Sequence, residues 1–208
     1  MDEVTKIIDA SESLFKKYGI RSVTMTDIAQ KLGMSKKTLY LHIENKEDLV
    51  SRIMQRYISK NKEMYVLIQK EAKNALDELL KVSLYTQEQM DDINSSVLYD
   101  LQKYHRAVWQ LLDDFNRKEI LMMVENNLKT GVEEGLYRQN LDISLISRLH
   151  VSLMPILSDD ELFPINDFPT DQLHREFMRY HIHGIVSDKG RNLLKKMLDS
   201  LDFKEGFY

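Results

Sequence analysis

The sequence predicts an all-α protein, in which a small N-terminal helix-turn-helix unit is joined by a long helix to a larger helical domain. Its 208 residues include only 7 glycines and 3 prolines, and all three prolines lie between Pro155 and Pro169. Long helices can therefore form over the preceding residues. Apolar residues recur at intervals of three and four, which is the helical period. The closely spaced turn signals that strands require are absent.

The composition narrows the class of protein. Hydrophobic residues make up 43% of the chain and charged residues 30%, which is typical of a globular protein with ample core. The absence of cysteine excludes disulfides, thiolate metal sites and a cysteine nucleophile. The N-terminus has no basic region followed by an apolar one, and no run approaches about 18 apolar residues. We therefore expect a cytoplasmic protein without a membrane partner.

The first helix is predicted from an amphipathic pattern that ends at a glycine. The apolar residues are spaced as one helix face and the following Gly19 suits the left-handed position after a helix. They are Val4, Ile7, Ile8, Leu14, Phe15 and Tyr18.

Capping residues predict three further helices in close succession. Thr24 can cap a second helix, with Asp27 at the third position, close to a capping box. Gly33 ends that helix after about two turns. Ser35 caps a third helix, from Lys36 to about Ile43, and Asn45 caps a fourth. Two short helices joined by a tight turn that contains glycine form a helix-turn-helix, here at about residues 24–43.

The third helix has an outward face that suits the major groove of DNA. Leu39 and Ile43 are four residues apart and should pack inward, whereas Lys37 and Leu41 point the opposite way. Lysine, threonine, tyrosine and leucine side chains can contact phosphates, base edges and a thymine methyl group. Residues 14–46 also hold seven Lys/Arg against two acids, a net charge of +5, although the whole chain has a net charge of −4. A solvated basic face is the alternative interpretation of this charge.

The order of the motifs in this segment resembles TetR-family (TetR/AcrR-type) repressors over about residues 3–50. The matching elements are Asp-Ile-Ala at 27–29, Gly-x-Ser at 33–35, Thr-Leu-Tyr at 38–40 and Asn-Lys-Glu-Asp-Leu at 45–49. The resemblance implies a DNA-binding domain over residues 1–48 and a helical effector-binding and dimerisation domain over residues 49–208. It also implies a set of DNA-contacting residues: Thr24, Thr26, Ser35, Lys36, Lys37, Thr38, Tyr40, Leu41, His42 and Lys46. Thr24 can equally be a cap alone, and His42 an ordinary surface histidine.

The periodic pattern predicts helices through the rest of the chain. The fourth helix should continue to about Lys73 and be followed by one that carries Leu76 to Leu84. Others should span Asn94–Tyr104 and Arg106–Thr130, the latter ended by Gly131 and Gly135. Helices from Asp142 to Leu157, from about Asp171 and from Arg191 to Leu201 complete the prediction, with a loop at 158–170.

The resemblance implies an effector pocket and a homodimer in this larger domain. Aromatic and methionine side chains suit a largely apolar pocket for a small apolar or amphipathic effector, although each can equally be ordinary helix core. The candidates are Met64, Tyr65, Tyr85, Tyr99, Tyr104, Trp109, Met122 and Met123. The candidate dimer-interface residues are Leu149, Leu153, Phe177, Tyr180 and Gly184.

The implied function is a ligand-responsive repressor that is released from a pseudo-palindromic, double-stranded operator by its effector. An enzyme is the main rival, because His174, His181 and His183 lie close in sequence. Their spacing matches no familiar metal site, and motifs such as H-E-x-x-H and G-x-S-x-G are absent. We therefore expect no catalytic residue, metal or cofactor. A protein-interaction module without specific DNA binding, or an activator without an effector, remains as an alternative.

Overall fold

The computed structural model describes residues 2–91, 96–159, 161–164 and 167–200, and over these ranges the predicted all-α fold is confirmed. The described residues form helices joined by turns and loops, with one isolated β-bridge, between Tyr137 and Val186. The α-helices are α1 (Glu3–Tyr18), α2 (Met25–Lys31), α3 (Lys36–Leu39), α4 (Lys46–Glu71), α5 (Ala75–Asp91), α6 (Ser96–Tyr104), α7 (Arg106–Phe115), α8 (Leu121–Glu133), α9 (Ile143–Leu153), α10 (Thr170–Ile185) and α11 (Asp188–Ser200). No helix within the described ranges combines the length and apolar character needed to cross a bilayer.

The first compact unit comprises the described residues of 1–63 and 92–115. Helices α1 to α3 and the start of α4 bury one apolar core, to which α6 and α7 add Leu101 and Val108. Arg56 of α4 pairs with Asp9 and Glu12 of α1, so the first and fourth helices are joined by charge as well as by apolar packing. The unit therefore recruits two helices that lie far from the N-terminus in sequence.

The second compact unit comprises the described residues of 64–91 and 116–208. Its core contains Leu76, Leu128 and Ile182 and is organised around Tyr137, which is fully buried. The hydroxyl of Tyr137 lies 3.1 Å from the carbonyl oxygen of Ala75 and 3.0 Å from Asn127 Oδ1. Asn127 Nδ2 donates to the same Ala75 carbonyl at 2.9 Å. A buried polar group is thereby satisfied inside an apolar core, as its desolvation requires.

Two segments of the second unit are joined through their main chains: residues 134–138, which follow α8, and residues 185–190, which run from the end of α10 into the start of α11. We call them the loop pair. Arg138 N donates to Ile185 O and Ser187 N donates to Leu136 O, both at 2.9 Å. Gly190 allows the close approach, since a Cβ at that position would lie 2.0 Å from the Leu136 carbonyl oxygen. These bonds hold the chain that follows α8 against the turn between α10 and α11.

The predicted helix from Arg106 to Thr130 is wrong as a single helix. A π-helical segment, Asn116–Ile120, separates α7 from α8. Gly131 does not end α8 but lies within it, and the helix ends at Glu133 before Gly135, which has a φ of 70°. The ring of Tyr137 occupies the place where a side chain at 131 would be, at 2.1 Å from an added Cβ. Glycine is therefore needed at 131 because the Tyr137 ring leaves no room for a side chain, and at 135 because the backbone has a positive φ.

Other helix boundaries differ from the predicted ones by fewer residues. The third helix ends at Leu39, although backbone hydrogen bonds from Leu41, His42 and Ile43 continue the turn. The helix predicted from Asp142 to Leu157 ends at Leu153 and passes into a 3₁₀ segment, Met154–Ser158. The predicted start at Asn94 and the final residue Leu201 lie outside the described residues.

Candidate nucleic-acid interface

The turn between α2 and α3 is set by the residues that the sequence singled out. Thr24 and Asp27 form the predicted capping box, in which Thr24 N donates to Asp27 Oδ2 at 2.7 Å and Asp27 N donates to Thr24 Oγ1 at 3.2 Å. Gly33 has a φ of 66°, which glycine adopts without strain. Ser35 accepts from Thr38 N at 3.0 Å and so starts α3 as predicted.

The orientation of α3 follows from two buried anchors. Leu39 and Ile43 are 0% and 1% exposed and pack on the core of the first unit. Because they hold one side of α3 and of the turn that follows it, the side chains on the opposite side face solvent. Leu41 is 75% exposed and Tyr40 is 46% exposed. Large apolar groups that lie in water beside cations are typical of a binding surface.

Some of the other predicted DNA-contacting side chains are exposed to solvent, and others form hydrogen bonds within the protein. Lys36, Lys37 and Thr26 are exposed, and His42 is partly buried. The hydroxyl groups of Ser35 and Thr38 lie 2.8 Å apart and share a hydrogen bond. The hydroxyl of Thr24 is used by its capping box. Contacts to DNA by these residues remain predictions.

Lys46 is directed towards the loop before α2. Its Nζ donates to Arg21 O at 3.5 Å and lies 5.9 Å from the centre of the Phe15 ring. Partial burial lowers the pKa of the Lys46 ammonium, and the charges of Asp100 and Asp27 oppose this shift. The first turn of α4 also carries Glu47 and Asp48, so Lys46 is the cation of an otherwise acidic helix start.

Sequence reasoning missed the role of Arg21. Its backbone N–H donates to the buried carboxylate of Asp100 at 2.9 Å, and its guanidinium donates to the Tyr104 hydroxyl at 3.1 Å and lies 5.1 Å from that ring centre. His105, directly after α6, pairs with Glu47 at the start of α4. Helix α6 and the residue after it thus contact both segments that flank the helix-turn-helix, at Arg21 and at Glu47. The basic segment contained Arg21, but only the fold shows its partners, since they lie about 80 positions away.

The structure does not bring all the predicted pocket residues together in one unit. Tyr99, Tyr104 and Trp109 belong to the first unit, where Tyr99 and Tyr104 are 52% and 44% exposed. The second unit holds the other five: Met64, Tyr65, Tyr85, Met122 and Met123. Tyr65 and Tyr85 meet edge to face, with ring centres 5.9 Å apart. Met123 packs against the core, whereas Met122 is 55% exposed.

The predicted dimer-interface residues include an exposed apolar set on α9 and α10. Leu149 and Tyr180 are 48% and 77% exposed, and a Cβ added at Gly184 would meet no atom within 4 Å. Leu153 is partly buried. Phe177 instead lies inside the second unit, with its ring centre 5.2 Å from that of His150. Leu145, which is 54% exposed, extends the apolar set by one turn of α9.

The three histidines that raised the possibility of a metal site do not share one environment. His174 and His181 are buried, whereas His183 is exposed. Among the described residues, no group of three or more His, Asp or Glu side chains could hold a metal ion.

The comparisons with known proteins agree on the class of protein. Residues 7–53 match the family model described as bacterial regulatory proteins, tetR family. The chain is 26% identical to the uncharacterised HTH-type transcriptional regulator YvaF of Bacillus subtilis over 88% of this chain and 96% of that protein. It is 25% identical to the HTH-type transcriptional repressor KstR2 of Mycobacterium tuberculosis, over 69% of this chain and 73% of the relative.

Solved structures share the fold at lower identity. The structure of KstR2 from M. tuberculosis, described as a ketosteroid transcriptional regulator, is 21% identical with a TM-score of 0.63 and covers 90% of this chain and 96% of its own. A transcriptional regulator from Saccharomonospora viridis in complex with choline is 18% identical with a TM-score of 0.74, over 88% of this chain and 97% of its own. These similarities extend well beyond the helix-turn-helix.

Proposed function

Because the chain belongs to the tetR family of bacterial regulatory proteins and is a transcriptional regulator, not an enzyme, we propose that it is a ligand-responsive repressor. In this proposal it binds a pseudo-palindromic operator as a homodimer. A small apolar or amphipathic effector releases it from the DNA. The domain division at residue 48 and the DNA contacts named above are parts of the same proposal.

The exposed end of α3 is the observation that supports DNA binding best. Leu41 and Tyr40 face solvent beside Lys36 and Lys37, although Leu39 in the same helix is fully buried. This surface has the chemistry of a major-groove reader: lysines for phosphate or guanine, and leucine for a thymine methyl group. The partial burial of Lys46 beside Arg21 supports a role at the phosphate backbone, where an anion would restore the favourable environment of its ammonium.

A dimer would present two copies of α3 to successive major grooves, about 34–36 Å apart. The exposed apolar set of Leu145, Leu149 and Tyr180 supports a self-complementary contact between copies of α9 and α10. An effector that favours another spacing of the two DNA-binding units would weaken operator binding, and DNA would weaken effector binding by the same factor. We assign the coupling to α4, which contributes residues to both compact units.

Fluorescence anisotropy with DNA from the upstream region of the gene, against a scrambled duplex and across a salt series, tests this function. Lys37→Ala should weaken binding and lower the salt slope by about one unit per subunit, hence about two units for the dimer. Lys129→Ala, which removes an equal charge from an exposed position of α8, is the matched control and should change neither. Leu41→Ala should weaken specific binding and leave stability within about 0.5 kcal/mol, because Leu41 is exposed.

Specific binding at least about 10³-fold tighter than to the scramble would support a regulator. If no duplex from a genomic library is retained specifically, or if the Lys37 and Lys129 variants behave alike, α3 is not a DNA-reading helix. The protein-interaction alternative would then be preferred.

A further inference from the structure

The second unit leaves several buried polar atoms without a hydrogen-bond partner. Among the described residues, the buried side-chain atoms in this condition are Ser83 Oγ, the Tyr85 hydroxyl, His150 Nδ1 and His174 Nδ1, and all four residues belong to the second unit. Native proteins leave few such atoms, because each loses its hydrogen bonds to water without a replacement. Their concentration in one unit indicates that a polar partner is missing from it.

Two of these atoms belong to a cluster of histidines on α9 and α10. The ring centres of His150 and His181 lie 4.3 Å apart, and Phe177 stacks on His181 with ring centres 6.4 Å apart. His174 is 1% exposed. A charge on His174 would disfavour a charge on His150. The cluster therefore holds three imidazoles in a largely apolar interior.

No carboxylate of the described residues acts on the three imidazoles of the cluster. Burial lowers the pKa of His174 and of His181 to about 4, and lowers that of His150 well below its usual range. Nearby charges add to the effect on two of them: the other two imidazoles on His150, and Arg175 on His174. No carboxylate contributes to any of the three shifts. At neutral pH the rings are consequently neutral.

The surrounding carboxylates already have other partners. Asp171, on the same helix as His174, pairs with Arg175 at 2.7 Å. Glu125 of α8 pairs with Arg148 at 3.2 Å and accepts from the Ser147 hydroxyl at 3.5 Å. Glu176, also on α10, is exposed and pairs with Arg179. Glu78 of α5 and Glu134, which act electrostatically on Tyr137, do not affect the histidines. Among the described residues, these carboxylates therefore supply no anion to the cluster, which leaves a ligand as the candidate source of one.

We propose that His150 and His174 bind the carboxylate of an organic acid with an apolar body, and that this acid is the effector class of the protein. The proposal rests on the function proposed above and specifies its ligand. A carboxylate would accept hydrogen bonds from both Nδ1 atoms. The partly buried apolar side chains packed on the core, among them Ile146, Leu153 and Met154, would surround the apolar body. The buried carboxylate would stabilise an imidazolium, so that binding takes up a proton from solvent.

Calorimetry of the intact protein tests this, with straight-chain acids from hexanoate to hexadecanoate as probes and the alcohol of equal length as the partner of each. The best acid should bind at least about tenfold more tightly than its alcohol, because charge-assisted hydrogen bonds are the stronger ones. Its heat should depend on the ionisation enthalpy of the buffer by about one proton taken up, and its affinity should rise from pH 8 to pH 6.

Substitutions test which histidines cause the preference for acids over alcohols. His150→Phe and His174→Phe should each remove the preference for acid over alcohol, and circular dichroism should show that they remain folded. His183→Phe replaces an exposed histidine of the same helix and should keep the preference. Equal binding of acids and alcohols, no binding of either, or a preference that survives in both variants would overturn the proposal, with ordered water as the remaining partner of the two rings.

Operator anisotropy separates this inference from the function on which it rests. Release of operator by the tightest acid is the expected result. Specific operator binding that no acid alters would leave the regulator intact and reject this effector class. Acid binding to His150 and His174 without any specific DNA binding would keep the site and reject the regulator.

Discussion

Replacing Gly131 with alanine should destabilise the protein, although alanine is the better helix former. Within a helix the exchange favours folding by about 1 kcal/mol. The added methyl group, however, would lie 2.1–2.7 Å from three ring carbons of Tyr137. That ring is fully buried and its hydroxyl is hydrogen-bonded, so it has no free space to enter. The unfavourable packing should therefore outweigh the gain in helix propensity.

The magnitude follows from two costs. Forcing an additional carbon into a packed core costs about 1–3 kcal/mol, and displacing the Tyr137 hydroxyl loses hydrogen bonds that contribute about 1 kcal/mol each. After subtraction of the helix-propensity gain, Gly131→Ala should lower the free energy of unfolding by about 2 kcal/mol. For a chain of this size that corresponds to a Tm lower by about 4–8 °C.

Urea and thermal unfolding followed by circular dichroism measure this change. A double-mutant cycle gives the control: in a Tyr137→Leu background the ring is gone, and Gly131→Ala should then be neutral or stabilising. If Gly131→Ala stabilises the wild-type protein, the ring is not confined as the packing indicates. If the cost persists in the leucine background, contact with Tyr137 is not its cause.

Three further changes test other parts of the structure. His174 has a pKa of about 4 in the folded protein against about 6.5 in the unfolded chain. The unfolded chain therefore binds more protons between these two pH values. The contribution of His174 to stability is fully present above pH 6.5 and is lost as the pH drops towards 4. His174→Phe should reduce that loss in urea titrations by on the order of 3 kcal/mol at pH 4, and an unchanged pH profile would exclude this histidine as its source. Thr24→Ala removes a capping box and should cost about 1 kcal/mol in thermal unfolding; no loss would mean that water replaces the cap. Leu149→Glu should convert the proposed dimer to a monomer in light scattering, whereas an unchanged mass would place the dimer contact elsewhere.

Local sequence signals predicted the first unit closely because its elements are defined by neighbouring residues. Thr24, Ser35 and Asn45 cap helices through bonds to residues three positions away, and a pattern of that length is readable in the chain. The inward positions of Leu39 and Ile43 follow from the helical period for the same reason.

What the sequence did not predict depends on contacts between distant residues. The π-helical segment Asn116–Ile120 interrupts an amphipathic pattern that looks continuous, and Gly131 reads as a helix end until Tyr137 is seen against it. The attachment of Arg21 to Asp100 joins residues 79 positions apart. For the pocket, residue type alone selected the candidates, and it does not indicate which helices pack together. The predicted set therefore contains both Tyr99 and Tyr65, although they belong to different units.

The loop pair has a consequence for how this protein exchanges its amide protons. Arg138 and Ser187 lie outside the helices, yet their N–H groups are bound to main-chain oxygens of the opposite loop. In deuterated solvent both amides should exchange as slowly as those of the neighbouring core helices, because neither can open without separating the two loops. Connections in a folded domain ordinarily accept inserted residues and labels. Residues 134–138 and 185–190 are instead poor places for an inserted tag or a fluorophore.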